Sequence, residues 1–192
     1  MSKTSKSIDL FKLFARYRPF GRNKTMGRFK DDEDGVTAIE FGLLAIPFFA
    51  IIGAILETSL IFLASQVLDS AVNDSARLIK TGQAQSANYT STEYRAAICD
   101  GLYGMFDCGN LRIRVSEVAN FGAATLSNVV DLTDGSWTIV ENYDDGAGAS
   151  IILVEAYYKW PTALDLLNFN LSNLADGTRM LSAVRVFRNE PF

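Results

Sequence analysis

A chain of 192 residues with a formal net charge of −4 and no histidine has room for one compact core plus an extra segment. Without histidine there is no Ser-His or Cys-His nucleophile and no ordinary zinc site, so composition points away from an enzyme and calls for no cofactor or metal. Nine of the 18 Lys/Arg lie in residues 1–34, leaving 9 basic against 17 acidic residues in 35–192 (9 − 17 = −8), which argues against nucleic acid as a partner of that part.

Residues 1–35 read as a basic cytoplasmic leader, because Lys and Arg hold a flank on the cytoplasmic side while acids such as Asp31 to Asp34 count for little. An apolar run follows. From Phe41 to Leu56 no residue is charged, and Val36 to Ala64 spans 29 residues, more than the ~20 a helix needs to cross a bilayer. Residues 36–64 are therefore expected to be a transmembrane helix. The run is too long for a signal peptide and lacks a convincing small-residue cleavage site after it, so a signal-anchor is expected. Glu40 and Glu57 stand 17 residues apart, about 25 Å along a helix, which places both near the two faces of the hydrocarbon core. Glu57 is thus expected to be a second membrane-edge carboxylate. Pro47 is tolerable in such a helix.

The helix is expected to continue beyond the membrane. In residues 65–82, Val67, Leu68, Ala71, Val72, Ala76, Leu78 and Ile79 recur at spacings of three and four, with polar residues on the other face. That stripe needs a cover. Lys80-Thr81-Gly82 ends the helix with a basic last turn and a glycine.

Residues 83–192 are enough for one small exported domain. Leu111 to Ser116 alternates apolar and polar, Ser136 to Glu141 reads as another strand, Ser150 to Tyr158 as a strong one, and Met180 to Arg188 as the last. Asn142 to Gly148 reads as a turn-rich connection, while Leu164 to Leu174 fits either a short helix or an apolar loop. The fold class is α+β: a long N-terminal helix, transmembrane in its first half and amphipathic in its second, packed on a small antiparallel sheet. Cys99 and Cys108 close a short loop, and a disulfide there contributes about 2.5–3 kcal/mol on the chain-entropy estimate. It requires an oxidising compartment. Two unrelated buried thiols are the alternative.

Asp144-Asp145 and Asp31 to Asp34 read as solvated acids, and Gly146-Ala147-Gly148 is too short for a phosphate loop. Glu40 is different, since a lone carboxylate inside an apolar segment is costly and normally has a partner. Either it snorkels to water at the cytoplasmic edge, or another protein group meets it.

An ordered set of features goes further. Gly35-x4-Glu40-Phe41 precedes the apolar helix, Ile79 to Gln85 closes it, the Cys99/Cys108 pair follows, and Phe187-Arg188-Asn189-Glu190-Pro191 ends the chain. Together these resemble type IV pilin-like proteins, and more narrowly the TadE-like minor pseudopilins of the Tad (tight adherence, Flp-type) pilus system. The resemblance implies that a prepilin peptidase cuts the Gly35–Val36 bond and that Val36 becomes the new amino terminus. It implies that Glu40 pairs with the free amine of a neighbouring subunit, and that Phe41 helps the peptidase and other helices recognise the segment. The implied partners are the lipid bilayer, the prepilin peptidase, other pilins or pseudopilins of the Tad system and the pilus assembly platform. The implied location is the bacterial inner membrane with the C-terminal domain periplasmic, or pilus-associated after assembly. Acids rather than bases directly precede Gly35, and Phe41 stands where some Flp-type pilins have tyrosine. A domain of ~110 residues suits a minor or priming component better than the bulk fibre. An uncleaved single-pass inner-membrane protein with a periplasmic binding or structural domain is the alternative.

Overall fold

In a computed structural model the residues described are 34–192, apart from 127, 164, 167 and 168 and the side chains of 34, 165, 166, 169 and 170. The expected leader, residues 1–35, lies almost wholly outside them. One helix, α1, runs Asp34–Lys80 over 47 residues with Pro47 inside it. The chain divides after Pro47 into two units. In the first, Val36, Ile39, Phe41, Leu43, Leu44 and Ile46 are all exposed.

The second unit begins with more exposed apolar helix (Phe48, Phe49, Ile51, Ile55, Leu56) before burial sets in at Glu57, Ile61 and Ala64. From there the stripe Leu68, Ala71, Val72, Ala76 and Ile79 is buried, as its period requires. The helix ends where expected. Thr81 N donates to Arg77 O at 3.0 Å and Gly82 N to Ile79 O at 3.1 Å, and Gly82 takes a left-handed φ of 75°.

After a single turn, α2 (Gln83–Ser86), comes α3 (Ser91–Asp100), which sequence periodicity does not announce. Its signal is local. Thr90 and Glu93 form a capping box: Thr90 Oγ1 accepts from Thr92 N at 3.3 Å, and Glu93 Oε2 accepts from Thr90 N at 2.8 Å. The Thr90 hydroxyl, which donates to Glu93 Oε2, and then the Thr90 N–H hold the Glu93 carboxyl below its ordinary range.

A four-stranded sheet is ordered β2-β1-β3-β6, from β1 (Arg112–Val118), β2 (Asn142–Tyr143), β3 (Ile151–Pro161) and β6 (Thr178–Arg188). Pairs β1/β3 and β3/β6 are antiparallel, as expected, but β2 runs parallel to β1, so the sheet is mixed. Parallel neighbours need a crossover of a dozen residues or more, and the stretch between Val118 and Asn142 supplies it. Two short strands, β4 (Asp165–Leu166) and β5 (Phe169–Asn170), pair separately within the stretch whose form the sequence leaves open.

One sheet face meets the helix: Ile113 and Val115 of β1, Ile152, Val154, Ala156 and Tyr158 of β3, and Leu181 and Ala183 of β6 share a core with Leu68, Val72 and Ile79. The opposite face is covered too. Val129, Val130 and Leu174 pack with Tyr157 there, joined by Trp137, Ile139 and Met180. Ser136 to Glu141, expected as a strand, makes only a bridge between Trp137 and Val130. Its alternation is real but records Trp137 and Ile139 reaching the outer cluster rather than a ladder.

This covering segment is strapped down at Lys159. Its ammonium lies 2.8 Å from Asp176 Oδ2, bonds Gly135 O, and sits 5.0 Å from the centre of the Trp137 ring. Bonds from Lys159 and Thr178 lower the Asp176 carboxyl from 3.8 to about 2. A folded-state value below the unfolded one means stability present above about pH 4 and lost as pH falls towards 2. Asp176→Asn is therefore expected to flatten the fall of melting temperature between about pH 4 and pH 2, measured by circular dichroism against the unaltered chain.

Candidate functional site

The residues singled out by sequence lie on several elements. Gly35, Val36, Glu40 and Phe41 all lie in the opening turns of α1, and all are exposed. A Cβ added at Gly35 would meet nothing within 4 Å, and its backbone is helical, so nothing in the described structure demands a glycine there. Glu40 makes no hydrogen bond or ion pair among the described residues. It is an acid set on an apolar surface, with Ile39 67 % and Phe41 71 % exposed beside it.

Glu57 differs sharply. It is 8 % exposed, and its Oε1 accepts a hydrogen bond from Ala163 N at 2.6 Å. The carboxylate thus ties the helix to the chain just after β3, a contact across 106 residues. Sequence spacing treats Glu40 and Glu57 as a matched pair, whereas their surroundings do not match. One is open, the other held by the domain.

Cys99 and Cys108 are joined in a disulfide, with Cα atoms 6.0 Å apart. It ties the end of α3 to the 3-10 turn Cys108–Asn110 that leads into β1. Replacing both cysteines by serine is expected to lower stability by about 2.5–3 kcal/mol, checked by denaturant unfolding.

The strings Ile79 to Gln85 and Phe187 to Pro191, far apart in sequence, come together. Glu190 N donates to Lys80 O at 2.8 Å, extending the cap on the helix end. Asn189 is 2 % exposed, and its Nδ2 donates to Asp145 O at 3.0 Å and Ala147 O at 2.9 Å. Gln85 Nε2 reaches the same Asp145 carbonyl at 2.8 Å. A Cβ at Gly82 would lie 2.6 Å from the Phe192 ring, so the glycine allows both the turn and this close approach. The chain's end therefore clasps the end of α1. Sequence reasoning noted both strings without their contact, which only the path of β6 creates.

Sequence reasoning also missed Arg114 and Glu155. Arg114 Nε lies 2.6 Å from Glu155 Oε2, and the Glu155 side chain is fully buried. Tyr157 Oη donates to Glu155 Oε1 at 2.8 Å, and burial raises that phenol above its usual range. The two residues face each other in the β1/β3 register, so alternation on both strands brings them to the same covered face. Their place in the core is structural.

Among the described residues no cluster of acids and cysteines is arranged to hold a metal. Among the described residues the one helix long and apolar enough to cross a membrane is α1, and its most apolar stretch is unburied. This is an α+β protein led by a lipid-compatible helix with a small disulfide-linked domain on its second half. Residues 35–77 match the family model described as TadE-like protein, and over that helix the chain is similar to this family. The match covers the apolar segment and most of the amphipathic stripe and ends short of the sheet domain. Comparison with curated proteins and with solved structures returns no match.

Proposed function

We propose that this chain is a minor pseudopilin of a Tad/Flp-type pilus system, processed by a prepilin peptidase at Gly35–Val36 and inserted in pilus assembly through its helix. The observation that carries the reading is the open carboxylate of Glu40 within an exposed apolar helix segment, inside the stretch similar to TadE-like proteins. In lipid an unpaired carboxylate at the centre of a span costs about 2.5–3.5 kcal/mol, less near the edge. An ammonium from a neighbouring subunit offsets that cost where either charge alone is unfavourable. Cleavage after Gly35 creates that ammonium on Val36.

The rest of the reading follows from the same chemistry. The basic leader keeps the amino end cytoplasmic, and the disulfide-linked domain lies in the oxidising periplasm. Lipid, the peptidase, other pilins or pseudopilins and the assembly platform are the partners of the helix. The role is structural. Coexpression with a prepilin peptidase should lower the intact mass by that of Met1–Gly35. An unchanged mass in the presence of active peptidase leaves the uncleaved single-pass protein as the reading.

A further inference from the structure

The long strand β6 (Thr178–Arg188) stands at the edge of the sheet, next to β3 on one side and, among the described residues, no strand on the other. In an antiparallel pair alternate residues turn both backbone polar groups away from the neighbour. The outward set is fixed by its ends. Thr178 O accepts from Asn173 N and Leu174 N, Met180 N donates to Asn173 Oδ1 at 2.7 Å, and Glu190 N donates to Lys80 O. Residues 182, 184 and 186 therefore present their N–H and C=O groups outward. Val184 O accepts from Arg185 Nη1 at 2.8 Å. Among the described residues no protein group meets the Val184 N–H or either outward group of Ser182 and Val186. Both flanks of the edge are closed and its middle is open.

A groove of about 310 Å³ lies alongside, between the last turns of α1 and β6, lined by Ala76, Arg77, Lys80, Arg185 and Val186 among others. Its charge runs against that of the domain. Beyond residue 34 the chain holds nine cations in a net charge of −8, and five of those nine (Arg77, Lys80, Arg179, Arg185 and Arg188) belong to the last turn of α1 or to β6. Arg185 is engaged by Asp69 Oδ2 at 2.6 Å and Asn73 Oδ1 at 3.3 Å. Arg77, Lys80 and Arg188 make no ion pair among the described residues.

We infer that the Ser182–Val186 edge takes an extended acidic segment of a partner protein, added as a strand beside β6. Its backbone meets the open groups of 182, 184 and 186, and carboxylates on its helix-side face meet Arg77 and Lys80 in the groove. A second copy pairing edge to edge is disfavoured, because β6 has three arginines and no acid between Thr178 and Arg188. This inference stands whether or not the leader is cut.

The test uses the full chain in detergent micelles and a fluorescent peptide alternating threonine and glutamate, with a threonine–lysine peptide as counterpart. Anisotropy should show the acidic peptide binding more tightly by about tenfold or more, with a similar loss in Arg77→Glu/Lys80→Glu. Hydrogen exchange should show new protection of the Val184 and Val186 amides on binding. Val186→Pro, tolerable where an edge N–H faces solvent, should keep the fold and abolish binding. Binding without protection of those amides overturns the inference, because charge alone then holds the peptide. Equal binding of both peptides, no binding, or a dimer of the chain that Val186→Pro disrupts also overturns it. The exchange measurement on the unaltered chain decides even if Val186→Pro fails to fold.

Discussion

Arg114→Ala is expected to destabilise the sheet domain by about 3–5 kcal/mol, among the largest losses available to one substitution. The reason is the asymmetry of the pair. Glu155 is fully buried, whereas the Arg114 side chain keeps 20 % of its surface exposed. Removing the arginine leaves a carboxylate in the core that still accepts from the Tyr157 hydroxyl at 2.8 Å but has lost its cation. Removing the acid instead leaves a guanidinium that can turn towards water, so Glu155→Ala should cost less. Replacing both with apolar residues of similar volume, Arg114→Met with Glu155→Leu, should recover much of the loss, since well-packed apolar residues often equal a buried ion pair. Denaturant unfolding of the four proteins, followed by near-ultraviolet circular dichroism, measures this. A double variant no more stable than Arg114→Ala would contradict it.

Glu40→Ala is expected to leave membrane insertion intact and to abolish or strongly reduce incorporation into pili. Alanine is fully compatible with the apolar helix, and Glu40 makes no contact among the described residues that the fold would lose. Stability of the domain should therefore not change. In the role proposed for it, the carboxylate matters only when another subunit brings a cation to it, so the defect should surface at assembly. Counting surface pili and fractionating membranes in the variant separates the two steps. Normal piliation would mean that Glu40 only marks the edge of the span.

Much of this architecture is legible in the residues, and the exceptions have physical causes. The helix end was readable because Lys80, Thr81 and Gly82 carry a local signal, and Gly82 adopts the left-handed turn such an ending uses. Strands β1, β3 and β6 were readable from their apolar content, and the near-continuous run in β3 reflects burial on both faces. Strand β2 was not, since two residues carry no period and its parallel pairing depends on a long crossover. The helix α3 announces itself only through the Thr90–Glu93 box. Glu155 was hidden because an acid within an apolar strand has no sequence mark for its partner, and Arg114 lies 41 residues away. Of the candidate site, Glu40 stands out by its surroundings alone. Glu57 looked like its mirror image, but its bond to Ala163 depends on where the chain leaves β3.

The central claim is that the molecule at work begins at Val36, with its new amine free to meet Glu40 on a neighbouring helix. N-terminal sequencing of the protein purified from its native membranes tests this most directly. The account predicts a sequence starting Val-Thr-Ala-Ile-Glu-Phe. A protein that still starts at Met1 would contradict it.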